Sequence, residues 1–433
     1  MRKLAEDQDN LHAAIRAAVT AGDADAAVGL VGALGWYWWL RSLKTEGAEL
    51  AAEALAIAGE AAADEDGTER LALAYTMGAL LAGDAARSES ALEWFRIAAE
   101  LAARVPDPRI PLLRLIGPIR AMFGSVIDGA PTTPDAFDEA VDDGDAWVSA
   151  TARILRGHLT LNFGQLHAQA ETDFLRAADT FGALGERWGR SAALGGLGML
   201  EAWRGEHAAA ADHYRQAARL AAELGSAEDE TQCRLWLARE LWLLGEKDQA
   251  RDELARAQRN AERLGLREVM ALAAYTAGDL ARLDGKPKAA QAELLRAMEL
   301  SSHMNVARQI RAIAATSLGY LAGGEGDLDA ARRWHAEALE VARSAADAPV
   351  IATALAGLAD LALREGDPAW SATLLGASTS IRGTIDRSAE DEARVAGDAR
   401  TALGDAAFED AYERGQHVTM DTLAALISAT PGA

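Results

Sequence analysis

Five glycines, Gly205, Gly245, Gly285, Gly326 and Gly366, stand 40, 40, 41 and 40 residues apart, and the same residue types return at fixed distances around each. A period of this length restricts the chain to a helical solenoid. Each unit is one supersecondary element that cannot bury its own apolar face, so it stacks on its neighbours. Around Gly205, Leu197 and Gly198 lie eight and seven residues before the turn, and Ala210, Tyr214 and Ala217 five, nine and twelve after it. The same frame holds Leu237, Ala238, Ala250, Leu254 and Ala257 at Gly245, and Ala277, Gly278, Ala290, Leu294 and Ala297 at Gly285. It returns as Leu318, Gly319, Ala331, His335 and Ala338 at Gly326, and as Leu358, Ala359, Ser371, Leu375 and Ser378 at Gly366. Small residues seven before, five after and twelve after the turn mark close helix crossings; Leu, Tyr or Phe elsewhere fills the space between pairs. The expected fold is all-α, a right-handed superhelical solenoid of helix pairs with a period of about 40 residues.

The composition fits. Apolar residues make up 50% of the 433-residue chain and aromatics only 6%, and the prevalence of Ala and Leu favours helix. A net charge of −23 argues against direct binding of nucleic acid. No apolar run reaches membrane-spanning length and the N-terminus has no signal-peptide core, so a cytoplasmic location and no membrane partner are expected. A single cysteine, Cys233, excludes a disulfide framework.

Along the chain, residues 1–26 are expected to form an N-terminal capping helix and 27–104 the first helix pairs. The first of these turns near Ser42, where the turn glycine has been replaced; the second has a turn about three residues longer. Residues 105–145 hold six of the ten prolines and break the register. They form either a hinge or a degenerate repeat packed in line. Residues 146–385 are regular pairs, the first turning at Gly164-Gln165, and 386–433 form a C-terminal helical cap.

The column pattern is similar to the tetratricopeptide repeat, with longer helices. A more specific likeness lies at the ends. DQDNLHAAIRAAVTAGDADAAVGLVGALGWYWWLRSLKTEG, the internal LGERWGRSAAL, ATLLGASTSIR and the closing LGDAAFEDAYERGQHVTMDTLAALI resemble the C-terminal repeat region of AfsR-like actinobacterial regulators and related signal-transduction ATPases. The resemblance implies a sensor or protein-interaction region of a transcriptional regulator. It would act on an attached or separate P-loop ATPase and DNA-binding module. No G-x-x-x-x-G-K-[ST] occurs, since Gly285-Lys286 is followed by Pro287 in a repeat turn. A stand-alone adaptor unrelated to transcription is the alternative.

Catalytic chemistry finds no constellation. The eight histidines are scattered, no H-E-x-x-H or G-x-S-x-G occurs, and the acidic turns at 64–67 and 142–145 lack calcium-loop spacing. No enzyme activity, metal or cofactor is expected. By resemblance to tetratricopeptide solenoids, first helices line the concave groove through residues ten, six, three and two before the turn. That register selects Trp36, Trp39, Asn162, Met199, Trp203, Arg239, Trp242, Tyr275, Asp279, Arg282, Tyr320 and Asp360. Aromatics mixed with charges suit a protein or peptide partner, with a small-molecule effector as a further option. Packing of the rings between neighbouring helices is the competing reading. Trp94, Trp147, Trp188, Trp334 and Trp370 fall outside the register and are read as filler, and Trp38 and Trp236 as core.

Overall fold

A computed structural model describes residues 2–59, 64–84, 88–120, 133–164, 167–302 and 308–428. The longer turn expected in the second pair, Gln165 at the next turn, much of the proline-rich break and the last residues of the cap lie outside the described residues. Among the described residues the regular structure is helical throughout, with no strand.

The principal helices follow in chain order. They begin with α1 (Gln8–Ala21), α2 (Ala24–Leu40), α3 (Lys44–Ile57), α4 (Glu65–Asp84) and α5 (Ser88–Ala102). After short turns of helix around 111–114 and 134–141 come α6 (Ala146–Asn162), α7 (His167–Leu184), α8 (Arg187–Arg204), α9 (His207–Leu224), α10 (Ala227–Leu243) and α11 (Lys247–Leu264). The series continues with α12 (Arg267–Leu283), α13 (Pro287–Ser301), α14 (Arg308–Glu325), α15 (Leu328–Ala345), α16 (Ala348–Arg364) and α17 (Pro368–Arg382). Two further helices, α18 (Glu390–Leu403) and α19 (Asp405–Gln416), follow. The fold is a solenoid of tetratricopeptide-like helix pairs.

The turns explain the period. Gly164, Gly205, Gly245, Gly285, Gly326 and Gly366 all have φ between 65° and 89°, the left-handed conformation that ends a helix and that side-chain-bearing residues resist. A second set, Gly185, Gly225 and Gly265, does the same between pairs. Two residues with side chains sit in the same conformation, Ser42 (φ 57°) in the first turn and Ala346 (φ 51°) between pairs. After several of these turns an aspartate caps the next helix. Asp23, Asp327, Asp347 and Asp367 accept from the amides of Ala26, Ala330, Val350 and Trp370 at 2.9–3.1 Å.

The columns are buried as the spacing requires. Ala210, Ala250 and Ala290 are 0% exposed and Ala331 1%. Where a glycine stands seven before the turn, at 198, 278 and 319, it has a more specific use than a general close crossing: it receives the large side chain nine after the turn. A Cβ at Gly198 would lie 2.8 Å from the Tyr214 ring, and one at Gly278 would lie 2.8 Å from Leu294. His335 is gripped from two sides, because a Cβ at either Gly319 or Gly357 would collide with its ring. Phe174 is held in the same way between Gly157 and Gly196.

The chain divides into two compact units. One comprises residues 1–156, 176–191 and 219–229, and the other 157–175, 192–218 and 230–433. In the first, α1–α5 share a core around Ile15, Val31, Leu50, Ala74 and Leu81. There Trp38, fully buried, donates its indole N–H to His12 Nε2 at 2.9 Å, and His12 Nδ1 meets Glu46 at 2.9 Å. In the second unit, α14–α19 share a core around Ile351, Leu355, Leu374, Leu375 and Phe408. Its last helices do more than cover an end. α17 and α19 cross so tightly that a Cβ at Gly376 would strike the Tyr412 carbonyl, and one at Gly415 the Thr373 carbonyl.

Candidate functional site

The residues six before the turn place Met199, Arg239, Asp279, Tyr320 and Asp360 on successive first helices α8, α10, α12, α14 and α16. Ion pairs form two groups on this face, Arg239 and Arg282 on Asp279, and Arg364 on Asp360. Asp279 is 5% exposed and accepts from Arg239 Nη1 at 3.0 Å, from Arg282 Nη2 at 2.9 Å and from the Ser317 hydroxyl at 2.9 Å. Burial pushes its carboxyl pKa up, but the Arg282 and Arg239 guanidiniums outweigh that and hold it below the usual range. Asp360, 1% exposed, accepts from Arg364 Nε at 2.6 Å, one turn along its own helix. Tyr320 lies under the Arg282 guanidinium at 5.3 Å, and Tyr275 lines the same cleft.

The expected groove residues do not share one environment. Trp36 and Trp39 belong to the first unit. Trp36 makes edge-to-face contacts with Trp188 at 4.9 Å and Trp147 at 6.3 Å, so the two residues read as filler join it in one cluster. Lys44 Nζ sits 4.6 Å from the Trp39 ring. In the second unit, Asn162 is exposed near the end of α6 and Met199 is half-buried. Trp203 is half-buried with His167 at 5.5 Å. Trp242 is a correction. It is 7% exposed and packs with Ala202, Tyr214, Leu237 and Leu280 in the core, with only Lys247 over its ring at 4.2 Å. Its position three before the turn sends it into the seam between adjacent pairs. Trp242 therefore does not line the groove, and the charged residues form the continuous feature of the face.

The face is occupied by the chain itself, which sequence reasoning missed. The segment after α17 runs along it. The Arg382 carbonyl meets His167 Nε2 at 2.9 Å, and the Arg387 amide donates to the Trp203 carbonyl at 2.9 Å. Arg239 Nη2 donates to the Ser388 carbonyl at 3.2 Å, and Arg282 Nη2 pairs with Asp391 at 2.7 Å. Arg382, 1% exposed, pairs with Glu392 at 3.1 Å, and Arg394 pairs with Asp360 at 2.9 Å. Burial raises the Glu392 carboxyl pKa although Arg382 opposes it. Residues 382–394 thus touch α7, α8, α10, α12 and α16. The run DRSAEDEAR is rich in charge, with three acids in a row, yet nothing in its spacing tells which helices it meets.

No family model matches the sequence, and no curated protein does. Solved structures are similar in fold. A Rap protein complexed with competence and sporulation factor aligns over 93% of this chain and 99% of its own, with a TM-score of 0.56 and 14% identity. The Rap conjugation gene regulator of plasmid pLS20, in complex with the Phr* peptide, covers 72% of this chain and 95% of its own (TM-score 0.49, 15% identity). A signal-transduction ATPase with a tetratricopeptide repeat sensor from Pyrococcus horikoshii covers 84% of this chain and 54% of its own (TM-score 0.43, 12% identity). At these identities the likeness establishes the helical-repeat fold alone, and the last two overlap too loosely to say more.

Proposed function

We propose that this chain is the sensor or protein-interaction region of a bacterial transcriptional regulator, holding a protein or peptide partner on the first-helix face of its repeats. One observation carries the reading: the face defined by Arg239, Asp279, Arg282 and Asp360 holds a length of polypeptide through main-chain and side-chain contacts together. A surface that reads backbone carbonyls and carboxylates from successive helices recognises peptide, with no reaction required. The Rap protein of similar fold, solved with a bound factor, accords with this reading, and the resemblance of both chain ends to AfsR-like regulators supplies the transcriptional context. An attached or separate ATPase would be the module restrained.

The test is native mass spectrometry of the chain purified from its source beside an Arg239→Ala/Arg282→Ala variant. A partner carried by the first and lost from the second, with helicity and melting retained by circular dichroism, supports the reading. Identical species on both would remove it.

A further inference from the structure

The occupant of the face says what the face selects. The repeats contribute Arg239, Arg282, Arg364 and Arg382 against Asp279, Asp360 and the neighbouring Glu240, a local excess of one positive charge on a chain whose net charge is −23. Residues 386–394 bring Asp386, Glu390, Asp391 and Glu392 against Arg387 and Arg394, an excess of two negative charges. The match is between opposite charges.

The way the segment is held matters as much as its charge. Ile385, the large apolar residue of the approach, is 52% exposed, and deep apolar anchoring begins only at Val395 and Ala399, both 0% exposed. Upstream of Val395 the ties are hydrogen bonds and ion pairs that run from the buried Arg382–Glu392 pair through Arg282–Asp391 to Arg394–Asp360, where Arg394 is 40% exposed. The hydrated pair adds little net stability, whereas the buried ones are tolerated only while both charges are present. The polar stretch can therefore leave only in exchange for a segment that brings carboxylates to Arg282 and Arg382, while the rest of α18 stays docked.

We infer that this face is a binding site for an acidic peptide segment of a partner protein, and that residues 386–394 are a resident copy the partner displaces. The inference rests on the proposed reading of the face as an interaction surface. It adds the chemistry of the occupant: carboxylates placed to meet Arg282 and Arg382, after a stretch of open backbone whose carbonyl meets Arg239.

The experiment uses the full chain and a fluorescein-labelled peptide of residues 384–394, TIDRSAEDEAR. Binding is followed by anisotropy to wild type and to Asp391→Asn/Arg394→Ala, which loosens the resident copy. The expected result is at least tenfold tighter binding to the variant. That gain should be lost on adding Arg282→Ala, and lost for a peptide with Asn and Gln in place of its acids. Equal or absent binding to a variant that melts like wild type overturns the inference. A variant that forms dimers by light scattering and still excludes the peptide also overturns it, because a second copy is then the occupant. Hydrogen exchange on wild type keeps the question decidable if the variant fails to fold. Amides of 388–394 should exchange at least tenfold faster than those of 396–402, and equal rates would make the segment a fixed part of the core. Peptide exchange without a captured partner would leave the face intact and remove the regulatory context. A captured partner without peptide exchange would remove only the acidic-segment site.

Discussion

Ser42 and Ala346 show what a single residue contributes to this fold. Both hold the left-handed conformation that glycine supplies at the corresponding turns, and the Ser42 hydroxyl is buried without a hydrogen-bond partner. An L side chain in this region costs about 1–2 kcal/mol per residue. Ser42→Gly and Ala346→Gly should each stabilise the chain by about 1 kcal/mol in urea denaturation, an unusual sign for a substitution by glycine. His335 carries a different burden. It occupies the column filled by Leu294 and Leu375 elsewhere, is 0% exposed, and neither ring nitrogen has a partner. Burial holds its pKa down to about 4, with Arg364 pushing the same way and Asp360 and Asp391 opposing. The native ring stays neutral between pH 6.5 and 4, whereas the unfolded chain takes up a proton there. Its contribution is therefore whole above pH 6.5 and lost as pH falls, by about 3 kcal/mol at pH 4. His335→Leu should flatten the stability profile across that window; an unchanged slope in denaturation at pH 7, 5.5 and 4.5 would refute the account.

At the scale of helices, the crossings set the tolerances. Ala250 is fully buried where α10 meets α11, and Ala250→Leu should cost about 1–3 kcal/mol by overpacking. Gly376→Ala should cost a similar amount, about 1–3 kcal/mol, for a harder reason. Its Cβ would meet the Tyr412 carbonyl, a backbone atom, and pushing α19 away would stretch the 3.1 Å bond from the Thr373 hydroxyl to the Ala411 carbonyl. A thermal melt unchanged by either substitution would count against the register. The same scale shows where sequence reading stopped. The period, the turns and the Ala columns were legible because each is a local pattern repeated in register. The partners of Gly198 or Gly278 were half legible: a small residue at that column is visible, but the side chain it receives depends on how the pair closes. Trp242 went astray because a helix position fixes a direction, not whether the next pair covers it. The meeting of Ser388 with Arg239, 149 residues apart in sequence, left no local trace at all.

At the scale of the molecule, the cores differ in depth. Around α14–α19 the buried set runs from Ala312 to Leu423 and includes Ile351, Leu355, Leu375 and Phe408. Around α11 it splits into two smaller sets, Leu235, Ala257, Ala261, Val269 and Ala273 in one and Leu237, Leu241, Trp242, Ala250 and Leu280 in the other, and α11 (KDQARDELARAQRNAERL) itself buries only three alanines. In a stacked array the local stability of a repeat is the sum of its own terms and its neighbours'. Amides of α10–α12 should accordingly exchange with solvent before those of α16 and α17 in native-state hydrogen exchange. The reverse order would show that polar ties, not apolar depth, set the gradient. The segment from Arg387 to Arg394 is fastened at Trp203, Arg239, Arg282 and Asp360, so it bridges this shallow stretch from one side to the other. It acts as a splint on the compliant part of a spring. Whatever replaces it would set a new rest length there, and a ligand's length, beyond its affinity, would be transmitted along the repeats as mechanical strain.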